Sequence, residues 1–239
     1  MNSLPNAEYS LKKMGYFSSF LMAIITLVTF GMAIIAVPIS GEFCLKDCIE
    51  YPYNDSLLHY PKDFLWMYPA MLLVILYIVY MVCIHAISTQ NKKIFSRIAS
   101  GFALISSAIL LSCYFIQVKV VPASLINDET QGIALLTQYN PHGVFIAMEE
   151  LGYLLMSLSF LFIAPVFVGK LRIYLFIRWI FIISFILVLG SLIMISINYG
   201  LQRDDRFEII VITITWLVLI VNGILTGMVF RKSLKTKEL

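Results

Sequence analysis

The chain has 239 residues, 60% of them hydrophobic and only 13% charged, with a formal net charge of +3 at pH 7. A soluble domain averages roughly 45–50% apolar and about 25% charged, and a fold of this size leaves too much surface wet to hide the excess. A soluble enzyme, a disordered chain, a nucleic-acid binder and a disulfide-dense secreted module are excluded, which leaves an all-α, polytopic helical membrane protein.

In chain order, uncharged apolar runs occupy 17–37, 64–87, 98–118, 151–168, 179–201 and 209–230. Each is close to the roughly 20 residues that cross a hydrocarbon core of about 30 Å. In lipid only a helix satisfies its own backbone polar groups, and none of these runs alternates as a barrel strand does. Six transmembrane helices follow, the last three starting ahead of their apolar runs at 144, 174 and 208. No repeat or long linker interrupts them, so 1–239 reads as a single membrane domain. Lys12 and Lys13 precede the first run, as basic residues precede a signal peptide. That run is nevertheless longer than the roughly 7–15 residues of a signal h-region, and it is expected to remain as a span.

Charge placement predicts the orientation. Lys12 and Lys13, then Lys92, Lys93 and Arg97, then Lys170, Arg172 and Arg178, and finally Arg231, Lys232, Lys235 and Lys237 fall on one side. They are 12 of the 17 basic residues, and 12 of the 14 acidic residues fall on the other side. Basic connections stay cytoplasmic, which predicts an N-in/C-in protein of the cell membrane with external loops at 38–63 and 121–143.

The first external loop carries Cys44 and Cys48, four residues apart. In an oxidising compartment such a pair favours a small local disulfide, with free thiols as the alternative. A metal site that recruits His59 lacks a zinc spacing. Asn54-Asp55-Ser56 fits the glycosylation acceptor pattern, meaningful only in a eukaryote. Tyr60, Trp66 and Tyr68 read as an interfacial aromatic belt, and Pro69 as part of the first turn of the second helix. In the second external loop Pro141 and Gly143 mark a turn, after which a helix begins.

That helix brings in the candidate chemistry. Eighteen apolar residues follow Glu150 and span about 27 Å at 1.5 Å per residue, so Glu149 and Glu150 are expected at the outer boundary. Adjacent residues differ by about 100° around a helix, so the two glutamates face different ways. With His142, Lys119, Arg203 and Arg206 at similar depth, they form a candidate pocket for a cation or a small polar solute. The competing reading is a solvated rim of individually weak ion pairs. Deeper, Asn222 with Gly223 and Gly227 forms a G-x-x-x-G face suited to close helix packing. His85 reads as an interfacial side chain, Cys83 and Cys113 as buried inert thiols, and Pro165 as a kink or terminus.

Missing motifs narrow the function further. His85 alone cannot ligate a haem pair, and no H-E-x-x-H, P-loop or dinucleotide fingerprint occurs. Neither a G-x-S-x-G elbow nor a potassium filter is present, so no cofactor is implied. The leading expectation is a non-enzymatic accessory, sensory or partner-binding protein acting through its external face. A small-solute or ion permease using the outer glutamates is second, and a membrane-embedded enzyme third. Its expected partners are the lipid bilayer and a membrane protein or a second copy, with no nucleic acid.

Overall fold

A computed structural model describes residues 3–35, 40–41, 44–46, 48–169 and 171–235. The last residues of the first predicted span, Ala36 and Val37, fall outside this set, as do 38–39, 42–43 and 47 of the first loop, Lys170 and Lys237. Among the described residues every regular element is helical and there is no strand. Six helices are long and apolar enough to cross a membrane. They are α1 (Ser3–Ile35), α2 (Met67–Ile87), α3 (Lys93–Ile126), α5 (Val144–Ile163), α6 (Arg172–Tyr199) and α7 (Arg206–Lys235), and a single turn, α4 (Ile133–Leu136), lies between α3 and α5.

Several boundaries differ from the hydropathy pattern, each for a local reason. The apolar run of the third span ends at 118, yet α3 continues past Lys119 and Pro122 to Ile126. Asn127 closes this end by donating its side-chain amide to the Ala123 carbonyl at 2.7 Å. The fifth helix ends at Ile163 and tightens into a 3₁₀ turn, Ala164–Val166, whose middle residue is Pro165. Two 3₁₀ turns, Asn54–His59 and Lys62–Phe64, occupy the first long loop and bury Asp63 and Phe64.

Small residues set the helix contacts. A Cβ at Gly152 of α5 would lie 2.6 Å from the Leu110 side chain of α3, and Ser106 donates to the Gly152 carbonyl at 2.7 Å. Gly223 and Gly227 of α7 meet α1 within the same chain: a Cβ at 223 would lie 2.9 Å from the Ser19 carbonyl oxygen, and one at 227 would run into the Phe20 ring. Asn222 donates from the neighbouring face of α7 to the Ile177 carbonyl of α6 at 3.3 Å.

Interhelical hydrogen bonds join Ser107 to the Val74 carbonyl at 3.0 Å, Tyr80 to Thr226 at 3.0 Å, and Tyr77 to Ser159. Bonds of this kind contribute about 0.6 kcal/mol each in membranes, so packing at the small residues supplies the larger share. The apolar window of α5 is 56% buried and that of α6 only 22%. The fifth helix is therefore the centre of the bundle, and the sixth presents Phe176, Trp179, Ile186 and Ile197 outward.

Candidate functional site: an acidic aromatic cavity backed by a buried glutamate

The end of the bundle opposite the two terminal segments carries the long loops, and they are stapled to α3. The Gln117 side chain donates to the Leu136 carbonyl, and its carbonyl oxygen accepts from the Gln138 amide at 3.1 Å. Asn140 makes a turn by accepting the His142 amide at 2.9 Å and donating to the Ala134 carbonyl at 2.7 Å. A side chain at Gly143 would place its Cβ 2.9 Å from the Asn140 carbonyl oxygen and 3.0 Å from that of Leu135. Glycine is required there by close approach, and it fixes where α5 begins and hence where Glu149 points.

Below these loops lies a cavity of about 360 Å³, a volume that suits a small organic ligand. Phe30, Trp66, Tyr139, Phe145 and Trp216 contribute aromatic walls, while Asp63, Asp205 and Glu208 contribute three acidic groups. No lysine or arginine lines it among the described residues. The rings meet edge to face: Trp66 and Trp216 have centroids 6.2 Å apart, and Phe30 and Trp216 5.6 Å. Aromatic faces carry negative potential and attract cations, so the rings and carboxylates favour the same sign of ligand.

The acidic groups differ in their partners. Asp63 is held by His59 Nδ1 at 3.5 Å and accepts from the Tyr139 hydroxyl at 3.4 Å. Burial pushes the Tyr139 phenol up from its ordinary value, and the adjacent Asp63 adds to the rise, which keeps Tyr139 neutral and donating. Asp205 precedes α7, and its backbone carbonyl accepts the Ile209 amide at 3.0 Å. Its Oδ1 is buried without a hydrogen bond in the protein. Burial raises the Asp205 carboxyl above its ordinary value, and neighbouring Asp204 raises it further against the lowering effect of its own backbone amide.

Glu208 leads inward from the cavity. Its carboxyl group interacts electrostatically with that of Glu149, which has no exposed surface and whose Oε2 is buried without a hydrogen bond in the protein. Behind Glu149 runs a chain of buried donors with a single consistent direction. The Trp216 N–H donates to the Tyr153 hydroxyl at 2.9 Å, Tyr153 contacts Tyr114 at 2.8 Å, and Tyr114 donates to Glu149 Oε1 at 2.6 Å. Indole can only donate and a carboxylate oxygen accepts, so Tyr153 must donate to Tyr114. The chain ends where it began, because Trp216 also lines the cavity.

The structure distributes the sequence-derived candidates over three places. Glu149 is wholly buried behind the cavity, where it accepts from Tyr114. Glu150, on the neighbouring face of α5, forms an ion pair with Arg203, whose guanidinium lies 5.8 Å from the Phe207 ring. At the rim, Asp204 links His142 (3.4 Å) to Arg206 (3.3 Å), and Arg206 stacks 4.1 Å over the Tyr199 ring. His142 precedes α5 rather than sharing a helical face with Glu149. Lys119 is exposed on α3 and pairs with neither glutamate. Cys44 and Cys48 are joined by a disulfide with Cα atoms 5.9 Å apart.

The sequence pattern does not single out Tyr114, Tyr153, Glu208 or Trp216 as site residues, and it gives Trp66 only as part of an interfacial belt. Two signals were available: Glu149 and Tyr153 are four residues apart, and Glu208 and Trp216 eight apart, so each pair shares a helical face. No group of three or more His, Cys, Asp or Glu residues that could hold a metal ion occurs among the described residues. Compared with family models, curated proteins and solved structures, the chain matches none.

Proposed function

We propose that this chain is a non-enzymatic binding protein of the cell membrane, with both termini cytoplasmic, that takes up a small organic cation at its external face in a sensory or accessory role. One observation carries the reading: a cavity of about 360 Å³ whose charged lining, among the described residues, is wholly acidic and whose walls are aromatic. Quaternary ammonium ligands are recognised in such aromatic cages. The orientation rests on the concentration of basic residues at the opposite end, as the positive-inside rule requires.

Intrinsic fluorescence tests the binding. Trp66 and Trp216 line the cavity, whereas Trp179, the third tryptophan, is half-exposed on α6 and is removed by Trp179→Phe. Choline titrated into the purified chain in nanodiscs should change the emission saturably, and Asp205→Asn with Glu208→Gln should abolish the change. No saturable change, or the same change in the double variant, overturns the proposal.

A permease is the second reading, favoured by one specific feature: a wholly buried carboxyl, Glu149, whose Oε2 has no hydrogen bond in the protein and which interacts electrostatically with Glu208 of the cavity wall. It requires choline counterflow in proteoliposomes that Glu149→Gln abolishes, which a protein that only binds does not show.

A further inference from the structure

We infer that the groove between the terminal ends of α1, α6 and α7 is a second binding site, for a phosphate-bearing anion. This groove encloses about 860 Å³ and is lined by Lys12, Arg172, Arg231, Lys232 and Lys235 with no acidic residue among its described lining. Three helices contribute the charges, and Arg231 and Lys235 lie four apart on one face of α7. Lys12 also pairs with Glu8 on its own helix at 2.7 Å, which leaves the groove strongly positive overall.

The start of α6 points the same way. Leu171 caps it without a side-chain hydrogen bond, and its first turn holds no acidic residue. The Tyr174 amide is taken by the Leu171 carbonyl at 3.1 Å, but the positive end of the helix dipole still favours an anion there, and Leu171, Arg172 and Ile173 all line the groove. Met228, Val229 and Tyr174 supply an apolar side. A basic head-group site beside an apolar wall is the form that anionic-lipid pockets take between membrane helices. The basic residues between α2 and α3 do not converge in this way: Lys92 lies over Phe95 at 5.6 Å, and neither it, Lys93 nor Arg97 lines the groove.

Phosphate chemistry is common to a lipid headgroup and a free phosphate, so the experiment has two arms. In the first, the intact chain is released from mixed phosphatidylglycerol and phosphatidylcholine nanodiscs and retained lipid is counted by native mass spectrometry. In the second, inorganic phosphate is titrated into phosphatidylcholine nanodiscs and melting is followed. Arg172→Gln/Arg231→Gln/Lys235→Gln is compared with Lys92→Gln/Lys93→Gln/Arg97→Gln, which removes equal charge from the same end outside the groove.

Wild type should retain phosphatidylglycerol or be stabilised by phosphate, and the arm that responds names the source. The groove variant should weaken that response roughly a hundredfold, from three lost charges, and the control variant should leave it intact. Arg231→Gln alone, with a smaller loss of the same sign, serves if the triple variant does not fold. Equal loss in the control and groove variants, or no response in either arm, overturns the assignment.

Discussion

Removing a single oxygen atom tests the buried donor chain. Tyr114→Phe takes away the hydroxyl that donates to Glu149 at 2.6 Å and meets Tyr153 at 2.8 Å, at a position with no exposed surface. Glu149 Oε1 loses its donor and Tyr153 loses its acceptor, while Tyr153 keeps the Trp216 N–H at 2.9 Å. A neutral hydrogen bond contributes about 1 kcal/mol and one to a charged group about 1.5–3. The expected loss is therefore roughly 2–3 kcal/mol, reduced towards 2 because membrane hydrogen bonds lie at the weak end of the range.

Tyr80→Phe is the internal standard. It removes one neutral bond to Thr226 at 3.0 Å, and Thr226 keeps the Asn222 carbonyl as acceptor, so the expected loss is only about 0.6 kcal/mol. Reversible unfolding in mixed detergent micelles measures both variants. A cycle combining Tyr114→Phe with Glu149→Gln should then give a coupling of about 1 kcal/mol or more. Tyr114→Phe no more destabilising than Tyr80→Phe, or zero coupling to Glu149, would refute the directed chain.

Three further outcomes follow from the same geometry. Gly223→Leu with Gly227→Leu should destabilise by several kcal/mol, from overpacking at about 1–3 kcal/mol per site, because a Cβ at 223 would press on the Ser19 backbone oxygen at 2.9 Å; unchanged melting of the detergent-extracted protein contradicts this contact. Arg203→Met should cost about 3 kcal/mol by stranding the buried Glu150 carboxylate, and Arg203→Met with Glu150→Met should recover most of it in the same unfolding assay. Asp205, whose carboxyl is raised by burial, favours the folded state most below its ordinary value of 3.8 and loses that contribution as pH climbs through the raised value; melting scanned upward from pH 4 should flatten in Asp205→Asn.

The hydropathy pattern carries the number of spanning helices because lipid imposes that length on every segment alike. It does not carry the surroundings of Glu149. An apolar run of 18 residues puts that glutamate at a membrane boundary, yet α3 extends to Ile126 beside it and Gly152 lets the two helices close, so it has no exposed surface. The spans read as uncharged apolar runs, and hydroxyls and indole carry no charge that such a pattern registers. Tyr114, Tyr153 and Trp216 each look like lipid-compatible aromatic residues alone, and only the pairing of α5 with α3 and α7 joins their polar ends. The face periodicity of α5 and α7 was legible in sequence, whereas which helices pair was not.

The decisive measurement compares choline with 3,3-dimethylbutan-1-ol, its uncharged isostere, by calorimetric titration of the chain in nanodiscs. The two differ in charge and hardly in shape, and the cavity offers three acidic groups and no basic one among its described lining residues. Saturable binding of choline, absent for the alcohol and lost in Glu208→Gln with Asp205→Asn, is the predicted result. Equal binding of both compounds would reduce the cavity to an apolar void, and binding of neither would contradict the proposed cation site outright.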